Sequence, residues 1–174
     1  AGTTEASLFD GIDTSLPGLA GLAGLPTGAL QAELAAMDAA ARDAARAYDA
    51  RTPASIEPAL ARGLTATRAA RTAARNLTAA SAEARAEAEF LLAFKERDFV
   101  EALAAAAGIT LDPLANAETV TPGDALAVDV RAFLARPDGI TLGVPRVSGP
   151  AGWTIAEAPR PDDNDADNPF ARFF

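Results

Sequence analysis

The residues best placed to hold a cation are Asp163, Asp165 and Asp167, in the run Asp163-Asn164-Asp165-Ala166-Asp167-Asn168. Carboxylates at i, i+2 and i+4 match the opening of a calcium loop, where hard oxygen ligands converge on one ion. The match then departs: Asn168 stands where such a loop needs glycine, and Phe174 where it needs a bidentate glutamate. Two readings follow, a calcium site and a solvated acidic linker, and the departures favour the linker. A second set, Glu83, Glu87, Glu89 and Glu96, is similar to the carboxylates of metal-bridged bundles, but those sites also need Glu-x-x-His pairs. None can form, because the 174 residues include no histidine and no cysteine.

That double absence removes the imidazole and thiolate ligands of most zinc, copper and non-haem iron sites, and the histidine base of most acyl-transfer nucleophiles. Carboxylate, hydroxyl, tyrosine and lysine chemistry is left. Lys95 is the only lysine. If buried it could form a Schiff base, but its neighbours Glu96 and Asp98 favour an ordinary surface ion pair. Arg68, Arg71 and Arg75 fall at i, i+3 and i+7, on one face if the segment is helical. They suit either an anion site or a face paired with acidic neighbours. A net charge of −9 favours pairing and argues against a nucleic-acid partner. Asn76-Leu77-Thr78 fits a glycosylation sequon, at the end of an expected helix.

These side chains need elements to position them, and the chain reads as four segments. Residues 1–28 form an irregular start in which Leu16, Leu19, Leu22 and Leu25 step by three among glycines, as a short helical turn or an extended segment on another surface. Residues 29–108 read as a helical bundle. The first helix, about 29 to 50, turns Leu30, Leu34, Met37, Ala41, Ala44 and Tyr48 inward and stops before Pro53. A second, with Ser55 as its cap and Pro58 in its first turn, runs to Leu77 and buries Ile56, Leu60, Leu64, Thr67, Ala70 and Ala74. The third runs from Ser81 to Ala107 and ends at Gly108. Its inward residues are Ala88, Leu92, Phe99, Leu103 and Ala106. Phe90, Leu91 and Phe94 widen its apolar face, either as a docking face for something outside the bundle or as a broader core contact.

From 109 to 158 the period becomes two. Leu126, Val128, Val130 and Ala132 alternate with Ala127, Asp129 and Arg131, which predicts a half-buried strand. Further strands are expected near 109–112, 118–121, 140–144 and 153–155, with turns at Thr121-Pro122-Gly123-Asp124 and Arg136-Pro137-Asp138-Gly139. The predicted fold is α+β: a three-helix antiparallel bundle followed by part of an immunoglobulin-like β-sandwich. So few strands cannot close a sandwich. The chain therefore reads as a truncated fragment, with 159–174 an acidic linker ending on Phe170, Phe173 and Phe174, and with a sheet edge open to self-association. No stretch suits a membrane span, and Ala1 to Phe9 lacks the basic start of a signal peptide, so a soluble protein is expected. The lack of cysteine leaves the compartment open, an extracytoplasmic one included.

Several phrases taken together resemble one family. They are Phe9-Asp10-Gly11-Ile12-Asp13-Thr14-Ser15, Gly18-Leu19-Ala20-Gly21-Leu22-Ala23-Gly24, Leu60-Ala61-Arg62-Gly63-Leu64, Phe90-Leu91-Leu92-Ala93-Phe94-Lys95-Glu96 with Phe99, and Val120-Thr121-Pro122-Gly123 leading on to Gly152-Trp153. Their order is similar to the region that follows the catalytic domain in long bacterial members of the PIG-L (LmbE-like) de-N-acetylase family. The resemblance implies a parent enzyme that hydrolyses N-acetyl groups on sugars, with zinc held upstream by a His-Pro-Asp-Asp motif and a later histidine. Arg160-Pro161-Asp162-Asp163 keeps three of those letters, but an arginine replaces the ligand, so no catalytic residue carries over. The chain itself would be a non-catalytic accessory region without a cofactor. Its implied partners are its own upstream catalytic domain and a glycan substrate. Two other readings stand beside it: an independent binding or scaffolding module, for example a sandwich that stacks sugars on Trp153, and an enzyme working with carboxylates alone.

Overall fold

Alanine-rich helices can approach closely, because little side chain stands between their axes, and the first half of this chain is built that way. The computed structural model describes residues 8–11, 13–136, 140, 141, 143 and 146–158. The chain forms two units, Ala1–Ala107 and Gly108–Phe174.

In the first unit a single helical turn, α1 (Leu19–Leu22), precedes three longer helices, α2 (Gln31–Ala47), α3 (Glu57–Asn76) and α4 (Ala82–Ala107). A short 3-10 turn, Pro53–Ile56, leads into α3. Arg68 pairs with Glu96 and Arg75 with Glu89, so partners fall in number along α4 as they rise along α3, and the two helices are antiparallel. Arg62 with Asp43 and Ser55 with Ala47 give the same sense for α2 and α3. The largest fully buried side chains are Leu34, Met37, Thr67 and Leu92; alanines such as Ala40, Ala70, Ala74 and Ala88 fill much of the rest. The Thr67 hydroxyl donates to the Gly63 carbonyl one turn back, 2.8 Å away, so its burial leaves no polar group unsatisfied.

The breakers expected from the sequence fall at both joints, with two corrections. Ser55 does not cap α3. Its hydroxyl donates to the Ala47 carbonyl, 3.0 Å away, and so satisfies the last turn of α2 instead. Tyr48 is exposed rather than inward, because α2 ends at Ala47 and Tyr48 is already extended. Ser81 does cap α4, accepting from the Ala84 N–H at 3.1 Å, and Gly108 follows with a φ of 70°. In the N-terminal segment the helical turn is the reading that holds. Leu19 and Leu25 are buried with the bundle core, whereas Leu22 is exposed.

Among the described residues the second unit holds an antiparallel pair, β1 (Ile109–Ala115) and β2 (Val128–Leu134), in register from Ile109 opposite Leu134 to Ala115 opposite Val128. Asn116 fastens the open end: its N–H donates to the Ala127 carbonyl, and its side-chain oxygen accepts from the Ala127 N–H, both at 3.0 Å. The expected turn at Thr121 is present, with the Asp124 N–H donating to the Thr121 carbonyl at 3.0 Å. The strand expected from Leu126 starts at Val128, because Ala127 is committed to Asn116. Residues 118–121 and 153–155 are not strands. The first run leads into the Thr121 turn, and Trp153 closes another, its N–H donating to the Pro150 carbonyl at 3.2 Å. Residues 140, 141 and 143 are also outside strands; 142, 144 and the turn at 137–139 lie outside the described residues. Helices and a two-stranded antiparallel sheet thus make a mixed α and β chain.

Candidate functional site: two uncovered apolar faces

An α-helix turns by 100° per residue, so Phe90 projects from α4 on the side away from Leu92 and Phe99, which enter the core. Phe90 and Phe94 therefore do not widen the core stripe; they form a second, outer one. They are 57% and 41% exposed, and their rings meet edge to face with centroids 4.9 Å apart. The Arg97 guanidinium lies 4.9 Å over the Phe94 ring. Leu91 is separated from them, half-buried against the core. Of the three residues expected to form a docking face, the structure brings two together and adds Arg97. Its spacing of three from Phe94 was the available signal.

The second uncovered face belongs to the β ribbon. Cross-strand partners share a face, so Ile109 and Leu134, Leu111 and Ala132, Pro113 and Val130, and Ala115 and Val128 line one side without a polar side chain. The other side carries Thr110 opposite the exposed Phe133, Asp112 opposite Arg131 and Leu114 opposite Asp129. Burial is inverted relative to this chemistry. Leu111 is 64% exposed and Val128 and Val130 are exposed, while Asp112, Asp129 and Arg131 are half-buried. Arg131 and Asp129 form an ion pair at 3.0 Å on that side. In the same unit Trp153 is 52% exposed and lies against Gly149 together with the exposed Ile155.

The arginine stripe of α3 is consumed by pairing. Arg71 bonds both Glu89 and Glu96 of α4, Arg68 reaches Glu96 at 2.8 Å, and Arg75 reaches Glu89 at 3.0 Å. These guanidinium bonds hold the Glu96 carboxyl below the ordinary glutamate range, Arg68 contributing most and Arg71 next. No free cationic face is left there for an anion. Glu89 and Glu96 are thereby structural, and Glu83 lies exposed in the first turn of α4. Lys95 pairs with Asp98 at 2.9 Å, and with 41% of its side chain exposed it is not enclosed as a Schiff-base lysine must be.

Among the described residues no three carboxylates gather where they could hold one metal ion. Zinc, implied by the family resemblance, also finds no imidazole or thiolate anywhere in the sequence, so the donors present do not fit it. Asp163, Asp165 and Asp167 lie outside the described residues, as do Arg160 and Phe170, Phe173 and Phe174. No described helix is long and apolar enough to cross a membrane. No family model, curated protein or solved structure matches the chain.

Proposed function

We propose that this chain is a non-catalytic accessory region of a PIG-L-like, zinc-dependent N-acetyl-sugar deacetylase: a helical spacer followed by the opening hairpin of an immunoglobulin-like sandwich. The inverted ribbon carries this reading. A sheet face made only of apolar side chains, yet more open than its charged reverse, suits packing against a second sheet. The zinc ligands and catalytic groups would belong to an upstream domain, which this region would brace or help to meet its glycan. The order of the family-like phrases from Phe9 to Trp153 is what supports the enzyme class in this reading.

The gene that encodes the chain tests the enzyme class. A His-Pro-Asp-Asp motif upstream in the same reading frame is expected, and a frame without one removes the deacetylase. The sandwich is tested in the intact protein. There Leu111→Asp with Val130→Asp is expected to lower the melting temperature by roughly 5 °C or more, and an unchanged melt would remove the second sheet.

Exposed Trp153 favours a second reading, a module that stacks a sugar ring on the indole. Trp153 is the only tryptophan, so its fluorescence reports the event directly. A saturable change on titration with an N-acetylated oligosaccharide, lost in Trp153→Ala by calorimetry, would support it; a flat titration would dismiss it.

A further inference from the structure

Along the outer side of α4 the sequence runs Glu83, Glu87, Phe90, Phe94, Arg97, Glu101. Both aromatic rings on this side are exposed, and α3 occupies the opposite side of the helix. Two adjoining exposed rings on the side opposite the core form an apolar patch that a second surface can cover. We propose that the outer side of α4 pairs with the same surface of a second copy of the chain, antiparallel, about a two-fold axis at the height of Leu92.

The charge order selects this arrangement. Parallel pairing sets Glu87 against Glu87 and Arg97 against Arg97, repelling at every charged level. Antiparallel pairing about Leu92 sets Phe90 against the partner's Phe94 and Arg97 against the partner's Glu87, and the two-fold axis repeats both contacts. Four rings then meet at the centre with an ion pair on each flank, a self-complementary patch of the kind a two-fold interface requires. Arg97 already lies over Phe94, which holds its guanidinium beside the aromatic centre. Glu101, which Arg97 reaches at 3.7 Å along its own helix, falls opposite the partner's Glu83, at the rim, where water and salt screen the repulsion, and the exposed Arg97 side chain can face Glu101 and the partner's Glu87 together. One helix stripe is a small interface, so the association is of micromolar strength or weaker.

Sedimentation velocity on the whole chain at about 0.15 M salt tests this, since the net charge of −9 on each copy is then screened. A concentration-dependent dimer is expected. Phe90→Ser should weaken it by roughly 30-fold or more, and Arg97→Glu should weaken it as well. Arg97→Glu combined with Glu87→Arg should restore it, because the swapped charges face each other again. All these side chains point away from α3, and unchanged helical circular dichroism would verify the fold of each variant. A chain monomeric up to about 1 mM, a dimer indifferent to Phe90→Ser, or a charge swap that fails to restore association would each overturn the pairing.

Discussion

Gly63 of α3 and Phe99 of α4 share one space: a Cβ built on Gly63 would lie 2.5 Å from Phe99 Cζ and 2.8 Å from Cδ1. The missing side chain is a notch that receives the ring, and it fixes the height at which the two helices cross. Gly63→Ala improves intrinsic helix propensity by about 1 kcal/mol, but overpacking a fitted core costs about 1–3 kcal/mol. Net destabilisation is expected, read as a lower urea midpoint. Phe99→Ala should be costly alone, yet Gly63→Ala should then become neutral or stabilising. Additive effects of the two changes would mean that the notch is not the constraint.

Arg71 bridges two carboxylates of α4, and Glu89 keeps one buried oxygen without a hydrogen-bond partner. Arg71→Met leaves both carboxylates short of a donor. We expect a loss of about 1–3 kcal/mol in chemical denaturation, and a smaller one for the more exposed Arg75→Met.

The Glu96 carboxyl is lowered in the folded state, so its contribution is fully present above the ordinary glutamate value of 4.5. It is lost as pH falls through the lower folded value. The wild type should therefore lose stability below about pH 4.5, and Glu96→Gln should flatten that acid limb. Urea midpoints between neutral and strongly acid pH check the sign. A variant that falls as steeply as the wild type would show that Glu96 does not set the slope.

Ser81→Ala removes the hydroxyl that accepts from the Ala84 N–H at the start of α4, and should cost about 1 kcal/mol. Ser81→Asp should retain the cap. Thermal melts of the two variants separate a capping role from a role of the hydroxyl as donor.

Among the described residues the ribbon is two strands wide, and two strands are marginally stable without further cover. Amide exchange at Leu111 and Val130 should be faster by orders of magnitude than at Leu92 or Met37. Equal protection would mean that the ribbon is covered in the isolated chain.

Much of the bundle was legible because its signals are local. Pro53, Ser81 and Gly108 mark boundaries through constraints on their own backbone or their neighbours', and the 3.6-residue period selects Leu34, Met37, Thr67 and Leu92 for the core. Three features depend on partners distant in sequence. The pairing of Arg71 with Glu89 and Glu96 follows from the antiparallel alignment of α3 and α4, which the pattern of either helix does not contain. Ser55 had equally good claims as a cap for the helix after it and as a donor to the helix before it. In the second unit, alternation found β2 but also suggested strands at 118–121 and 153–155. Alternation specifies a side-chain pattern, whereas a strand also needs a neighbouring backbone to bond. The outer stripe of Phe90 and Phe94 was visible as surplus hydrophobicity, and its 100° steps from the inward Leu92 and Phe99 already set it on the opposite side, where one wide face had been expected.

The alanines at the helix contacts determine which accidents this protein can survive. A core of leucines is threatened mainly by losing atoms, whereas Ala70, Ala74 and Ala88, all fully enclosed, have almost none to lose. Single-base changes at an alanine codon lead to serine, threonine, proline, valine, aspartate, glutamate or glycine, and all but glycine are larger. Chance variation at these sites thus pushes the helices apart far more often than it leaves a hole. Purifying selection should be strictest at the smallest residues of the bundle, and a deep mutational scan should find Ala70 less tolerant of replacement than the bulky but uncovered Phe90.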